Sequence, residues 1–125
     1  MENKVITFGE IMLRLAAPDF LRFAQCTQFD VTFGGGEANV AVSLANYGIK
    51  AGFVSALPKN DIGDYAITTL RTHDVDTAHV VRGGDPVGIY YLESGAVSRG
   101  SKVLYDRANS SFAKLKKGSI DWNKA

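Results

Sequence analysis

The sequence has 125 residues, of which 46% are hydrophobic and 22% charged, as expected for a single globular domain and not for a disordered or collagen-like chain. Its net charge of +1 argues against nucleic acid or a membrane surface as the partner. The single cysteine excludes an internal disulfide, and the lack of a signal-like start or a spanning run predicts a cytoplasmic protein.

Short apolar runs and helical spacing alternate along the first two thirds of the chain. The runs end at glycine or proline, and Gly48 stands where a left-handed helix cap belongs. The predicted elements are a buried strand at 5–9, a helix at 37–46, a strand at 51–57, a helix from Asp61 and a strand at 77–81. This order predicts an α/β fold with a parallel sheet.

Four other segments alternate apolar and polar residues too regularly for the core of a parallel sheet. They lie approximately at 11–16, 28–33, 87–93 and 102–107. We interpret them as a small, half-exposed sheet that stands off the main layer, with 94–101 as a surface loop.

The tail has a weak helical pattern over 110–125. Three parallel strands and two helices make only half of a doubly wound sheet, and they leave an uncovered apolar face. Residues 1–125 are therefore interpreted as the N-terminal part of a longer domain.

A glycine turn between a strand and a helix carries the strongest local signal. Gly34, Gly35 and Gly36 allow close approach of a ligand to the backbone, and Asn39 in the first helical turn offers a donor and an acceptor. Taken alone, the segment is equally consistent with an ordinary flexible turn. It matches neither the dinucleotide-binding fingerprint nor a P-loop, so both chemistries are disfavoured.

Residues 34–41, Gly-Gly-Gly-Glu-Ala-Asn-Val-Ala, and the later Asn60-Asp61-Ile62-Gly63-Asp64 closely resemble the N-terminal signature of the ribokinase-like (PfkB) carbohydrate kinases. The opening 8–15 and the segment 103–111 resemble the 2-keto-3-deoxygluconate kinase branch. The resemblance implies a ribokinase-like, Rossmann-type α/β/α sandwich with a small β-sheet lid. The chain would form the N-terminal half of that sandwich.

The resemblance also implies a substrate site. The glycines and the asparagine of the signature contact the sugar, and a lid tyrosine with a Tyr-x-Arg segment contacts a sugar acid. Carried over residue by residue, the substrate-binding set is Gly34, Gly35, Gly36, Asn39, Tyr90, Tyr105 and Arg107. The implied activity is ATP-dependent phosphorylation of 2-keto-3-deoxygluconate, with ATP and Mg²⁺ bound mainly outside this chain.

Two departures from the family pattern bear on this interpretation. Arg14 stands where many relatives carry a sugar-binding aspartate, which suits an acidic substrate. The second family signature, Asp-Thr-x-Gly-Ala-Gly-Asp, whose last residue is the catalytic base, is absent, so we expect no catalysis by this chain alone. Arg107 is interpreted as a carboxylate clamp, with a surface ion pair to Asp106 as the alternative.

The remaining polar residues give weaker signals. His73 and His79 lack further ligands at metal spacing, Asp61 and Asp64 suit a helix N-terminus, and Cys26 suits a small hydrophobe. Lys114, Lys116 and Lys117 suit a solvated face.

The sequence leaves two alternatives open, namely a fructokinase-like enzyme of the same fold and a non-catalytic sugar-binding or dimerising fragment. The alternating segments also predict a homo-oligomer that buries one face of the lid sheet, through Phe29, Val31, Phe33, Ile89 and Tyr91.

Overall fold

The computed structural model describes residues 4–84, 86–95, 99–116, 118, 120 and 122. Within this part of the chain, eight strands and two α-helices follow one another in a mixed order. The strands are β1 (Val5–Phe8), β2 (Met12–Ala16), β3 (Asp30–Gly34), β4 (Ala51–Val54), β5 (Ala56–Pro58), β6 (Val81–Gly83), β7 (Ile89–Glu93) and β8 (Lys102–Asp106), and the helices are α1 (Gly36–Asn46) and α2 (Asp61–Thr72).

The main layer consists of β1, β4, β5 and β6 with both helices. β1 pairs in parallel with β4, and β5 pairs in parallel with β6. The α1 helix buries Ala38 and Ala41, and α2 buries Ala66 and Leu70, because these small and apolar residues recur at helical spacing. Phe53 and Leu57 of the strands complete the centre of this core.

The lid sheet consists of the other four strands in the order β3-β2-β7-β8. β2 pairs antiparallel with β3 and parallel with β7, while β7 and β8 are antiparallel. The chain passes between the main layer and the lid sheet four times, after β1, after β3, before β7 and after β8. This architecture confirms the predicted α/β class.

The predicted strand at 51–57 is two strands, because the chain changes neighbours at Ser55. β4 pairs with β1. At Ser55 the chain turns to a new neighbour, because the Ser55 carbonyl accepts a hydrogen bond of 2.8 Å from the backbone N–H of Val81, next to the β5–β6 pair. The prediction of a buried first strand is also wrong, because the two middle residues of β1 are only half-buried and its two end residues are exposed. Val5 and Phe8 remain 41% and 46% exposed.

The predicted strand at 77–81 is wrong except at its last residue. Asp76 forms an isolated parallel bridge to Gly52, and its carboxylate then accepts a hydrogen bond of 2.9 Å from the backbone N–H of Ala78. This side chain closes a turn, so β6 begins only at Val81.

The helical pattern predicted for the tail does not form a helix at 110–116, where the chain makes turns. The Ser110 hydroxyl accepts a hydrogen bond of 3.1 Å from the N–H of Ala113, which favours a local turn over a continuous helix. Part of the predicted tail and of the 94–101 loop lies outside the described residues. Among the residues described, no helix has the length and apolarity to cross a membrane.

Candidate substrate site

The glycine turn joins β3 of the lid sheet to α1 of the main layer. Gly35 is the N-cap of α1 with φ of 154°, and a Cβ there would lie 2.3 Å from the carbonyl oxygen of Glu10. Gly36 is different, because a Cβ on it would meet nothing within 4 Å. The turn is therefore tight on the side of the β1–β2 connection and open on the side where α1 begins.

Asn39 belongs to the first turn of α1 and is exposed. Its backbone N–H donates a hydrogen bond of 2.9 Å to the carbonyl of Gly35, so the helix fixes its position relative to the turn. The free N–H groups of a helix start, together with an exposed amide, form a surface suited to hydroxyl and anionic groups.

Tyr90 of β7 brings the lid sheet over the turn. A Cβ on Gly34 would lie 2.7 Å from the Tyr90 hydroxyl, so only glycine at this position leaves the phenol its present place. Burial raises the pKa of the Tyr90 hydroxyl above its ordinary 10.0, while the charge of Arg14 acts in the opposite direction. The phenol is therefore protonated at neutral pH and can both donate and accept a hydrogen bond.

A row of polar side chains crosses one face of the lid sheet. The register sets Arg14 opposite both Thr32 and Tyr90, and it sets Tyr90 opposite Tyr105. The Arg14 guanidinium donates a hydrogen bond of 3.3 Å to the Thr32 hydroxyl, and the Tyr90 and Tyr105 ring centroids are 6.1 Å apart. Sequence reasoning considered Arg14 only as a departure from a family position. Its cross-strand contact with Tyr90 depends on a register that a single sequence does not reveal.

Arg107 follows β8 and lies beside Tyr105, with its guanidinium carbon 5.9 Å from the centre of the tyrosine ring. Its terminal nitrogen Nη2 lies 2.7 Å from Oε1 of Glu10, and 44% of its side chain remains exposed. Glu10 therefore forms an ion pair with Arg107, an interaction that sequence analysis did not predict.

Together, the structure links most of the predicted site residues by direct contact. Gly34 lies under Tyr90, Tyr90 lies beside Tyr105, and Tyr105 lies beside Arg107. Gly35, Gly36 and Asn39 join this group through the start of α1. The group lies where β1 ends, as expected for ligand sites of α/β proteins, which form at the carboxyl ends of strands.

Residues interpreted as structural have structural contacts. Asn60 is the N-cap of α2 and accepts a hydrogen bond of 3.0 Å from the Gly63 N–H, with Asp61 and Asp64 in the first turn. His73 caps the other end of α2, and the half-buried Cys26 donates its S–H to the carbonyl of Phe23 at 3.2 Å.

No three His, Cys, Asp or Glu side chains within the described ranges cluster closely enough to hold a metal ion. A cavity of about 720 Å³ opens at the amino end of β1 and β4, lined in part by Lys4, Lys50 and Arg71. It contains none of the predicted site residues. Of the predicted basic run, Lys117 lies outside the described residues.

Comparison with known proteins identifies the family of this chain. The sequence profile of the pfkB family carbohydrate kinases matches residues 2–123. Similar relatives include a 2-dehydro-3-deoxygalactonokinase of Haloferax volcanii, 38% identical over 88% of this chain, and a 2-dehydro-3-deoxygluconokinase of Bacillus subtilis, 30% identical over 92%. The chain spans 35% and 36% of these relatives, respectively.

Among solved structures, the 2-dehydro-3-deoxygluconokinase of Thermotoga maritima is 54% identical with a TM-score of 0.94, covering 97% of this chain and 37% of that one. A pfkB family carbohydrate kinase of Listeria grayi is 43% identical with a TM-score of 0.93, covering 98% and 38%. These likenesses extend over nearly the whole chain and over little more than a third of each neighbour.

Proposed function

Since the chain belongs to the pfkB family of carbohydrate kinases, we propose that the intact protein transfers the γ-phosphoryl group of ATP to a hydroxyl of a 2-keto-3-deoxy sugar acid. The proposed substrate is 2-keto-3-deoxygluconate, the acid named for the similar Thermotoga maritima enzyme. This chain would supply the substrate-binding turn and the lid sheet. Because it is a sugar kinase by family, the protein is proposed to act in the cytoplasm.

The observation that carries this proposal is the exposed guanidinium of Arg107 beside two tyrosines and a glycine turn. Arginine presents N–H groups in a planar fork that matches a carboxylate, which a neutral sugar does not carry. Its ion pair with Glu10 occupies one terminal nitrogen and leaves 44% of the side chain exposed. The same face then offers the Tyr90 and Tyr105 hydroxyls to the keto and hydroxyl groups of the acid.

The transfer itself depends on positioning and on charge stabilisation. The residues of this chain would hold the sugar acid by its carboxylate and by its hydroxyl groups, and the lid would exclude water from it. We propose that ATP, magnesium and the base that accepts the hydroxyl proton are bound by the part of the protein beyond these 125 residues. The chain expressed alone is therefore expected to show no phosphorylation of any sugar acid.

Steady-state kinetics of the intact protein tests the role of Arg107. Arg107→Ala is expected to raise KM for the sugar acid about 10- to 150-fold, the range for loss of a charge-assisted hydrogen bond of roughly 1.5–3 kcal/mol. An analogue with a hydroxymethyl group in place of the carboxylate should bind both proteins alike. Arg107→Lys keeps the charge and loses the fork, so it should recover only part of the loss.

An equal loss for both substrates would show that Arg107 supports the lid and does not bind the carboxylate. The same assay should include 2-keto-3-deoxygalactonate, because a relative with that activity is 38% identical to this chain. The ratio of kcat/KM for the two acids decides which of them is the better substrate. Fructose should be assayed with the two acids. A higher kcat/KM for fructose than for both acids would contradict the proposal.

We also propose that the intact protein is a homo-oligomer through the lid sheet. The register sets Leu15 opposite Val31 and Tyr91, and Tyr91 opposite Leu104, so apolar residues share the other face of the sheet. Of the residues predicted for this interface, Phe33 and Ile89 instead pack against the core of their own chain. Val31 and Leu104 are 43% and 46% exposed. Light scattering of the intact protein at micromolar concentration tests this. A strictly monomeric mass would contradict the proposal, whereas a dimer that Leu104→Lys dissociates would support it.

A further inference from the structure

Glu10 is a buried acid that the proposed chemistry does not use. The residue is 5% exposed, and it lies two residues after the end of β1, at the first passage of the chain into the lid sheet. A buried carboxylate is destabilising unless other groups satisfy it. Here its Oε1 pairs with the Arg107 guanidinium at 2.7 Å, and its Oε2 accepts a hydrogen bond of 2.8 Å from the Ser110 hydroxyl.

All four passages between the main layer and the lid sheet meet at Glu10. A Cβ on Gly35, in the second passage, would lie 2.3 Å from the Glu10 carbonyl oxygen. A Cβ on Gly88, in the third, would lie 2.2 Å from its carboxylate oxygen Oε2. Arg107 and Ser110 belong to the fourth passage. The carboxylate is thus enclosed by the chain segments that determine where the lid stands.

The contacts of Glu10 also decide what Arg107 can offer to a ligand. The ion pair takes one terminal nitrogen of the guanidinium, and the ring of Tyr105 lies 5.9 Å from the guanidinium carbon. An arginine held on these two sides has lost much of its rotamer freedom before any ligand arrives. A ligand that binds it then pays a smaller entropic cost.

We propose that Glu10 is a positioning residue for substrate recognition, which holds the Arg107 guanidinium so that its remaining N–H groups face the carboxylate of the sugar acid. The inference rests on the proposed function, since it presumes that Arg107 binds this carboxylate. Glu10 touches neither the substrate nor the reacting atoms in this role. It acts through Arg107, with Ser110 fixing the second oxygen of the carboxylate.

A purely electrostatic role of Glu10 predicts the opposite effect. Its negative charge beside Arg107 weakens the attraction of the guanidinium for an anion, so removing the charge alone would tighten binding of the acid. Positioning predicts that removing the charge weakens binding of the acid, because the guanidinium is then less well held. The sign of the change in KM separates the two roles.

The test uses Glu10→Gln in the intact protein, with KM measured for the sugar acid and for its hydroxymethyl analogue. We expect KM for the acid to rise about 5- to 20-fold, less than for Arg107→Ala, because the guanidinium stays but is less well held. KM for the analogue should change less than about 2-fold. In an Arg107→Ala background the same substitution should add no further change. Ser110→Ala, which leaves the ion pair intact, should raise KM for the acid less than Glu10→Gln does.

Glu10→Asp replaces Glu10→Gln in this test if the glutamine variant fails to fold. It keeps the negative charge but moves the carboxylate away from the Arg107 guanidinium by the length of one methylene group. It should raise KM for the acid in the same selective way, by a smaller factor. A lower KM for the acid, an equal rise for both substrates, or an undiminished effect in the Arg107→Ala background would overturn the proposal.

The outcomes separate this inference from the proposed function. If Arg107→Ala distinguishes the acid from its analogue and Glu10→Gln does not, the positioning role is wrong and the proposed function stands. If Arg107→Ala weakens both substrates equally, Arg107 does not bind the carboxylate, and the positioning role is overturned. The proposed function itself is overturned by a preference of the intact protein for fructose over both acids.

Discussion

The main layer and the lid sheet use similar strand-forming residues but are covered differently. Every residue of β4 and β5 is buried, whereas every residue of β8 is exposed. The strands of the main layer are parallel and lie under helices, while the lid sheet carries a polar row on one face and apolar residues on the other. We expect stability to depend mainly on the main layer, and we propose that substrate recognition depends mainly on the lid sheet and its junction with that layer.

The largest difference is expected for the same substitution made once in each region. Leu57 of β5 is 0% exposed and Leu104 of β8 is 46% exposed. Leu57→Ala should lower the free energy of unfolding by about 2–5 kcal/mol, since it opens a cavity in the core. Leu104→Ala should lower it by less than about 1 kcal/mol when both proteins are compared as separated subunits, so that no loss at the proposed oligomer interface is included. Urea denaturation of the intact protein measures both, and similar losses would contradict the comparison.

Two glycines allow a second comparison, between a position inside the main layer and one at its junction with the lid sheet. A Cβ on Gly63 of α2 would lie 2.0 Å from the Pro58 carbonyl oxygen, whereas one on Gly36 of α1 meets nothing within 4 Å. Gly63→Ala should therefore lower the free energy of unfolding by about 1–3 kcal/mol, because backbone must move. Gly36→Ala should leave it nearly unchanged, because alanine also favours the helix. The two urea midpoints check this, and an unstable Gly36→Ala would contradict it.

A third glycine should change recognition with little change in stability. The atom nearest to a Cβ on Gly34 is the Tyr90 hydroxyl at 2.7 Å, the end of a side chain that can turn away. Gly34→Ala should raise KM for the sugar acid several-fold, about 3- to 10-fold if one neutral hydrogen bond is lost. The thermal midpoint should shift little. Tyr90→Phe is the control, since it removes the same hydroxyl without crowding the turn, and it should give a similar KM.

The smallest expected effect is a pH dependence in the main layer. The hydrogen bond from Lys4, and after it that from the Ala78 N–H, holds the pKa of the Asp76 carboxyl below its ordinary 3.8. A depressed pKa stabilises the fold above 3.8, and this stabilisation is lost as the pH falls through the folded-state value. The pair is partly exposed, so it contributes less than about 1 kcal/mol.

Thermal unfolding between about pH 5 and pH 2.5 measures this contribution. Asp76→Asn should lose less stability than the unsubstituted protein as the pH falls. An identical pH profile for the two proteins would show that the ion pair contributes nothing.

Sequence reasoning succeeded where a signal is local. The periodicity of Ala38 and Ala41 predicts α1, and the glycines at 34–36 predict the turn that precedes it. It failed at Asp76, whose side chain closes a turn inside a run of strand-forming residues. The family resemblance supplied Tyr105 and Arg107, which have no strong local signal of their own.

Glu10 shows why the rest of the site could not be predicted. The Ser110 hydroxyl that satisfies it lies 100 positions away in sequence, and no periodicity reports a contact of that range. Arg14 likewise faces Tyr90 only through the parallel pairing of β2 with β7. Both contacts arise from tertiary packing and strand register, which cannot be read from the local pattern of a single sequence.

The parallel pairing of Leu13 with Ile89 also bears on how the protein is made. A ribosome releases β2 and β3 long before β7, so this hairpin emerges with one long edge of β2 open. Pairings between distant segments raise contact order and slow folding. During synthesis, an exposed strand edge with apolar residues such as Leu13 and Leu15 is a site for aggregation or for chaperone capture. The lid sheet therefore cannot close until most of this chain has left the ribosome.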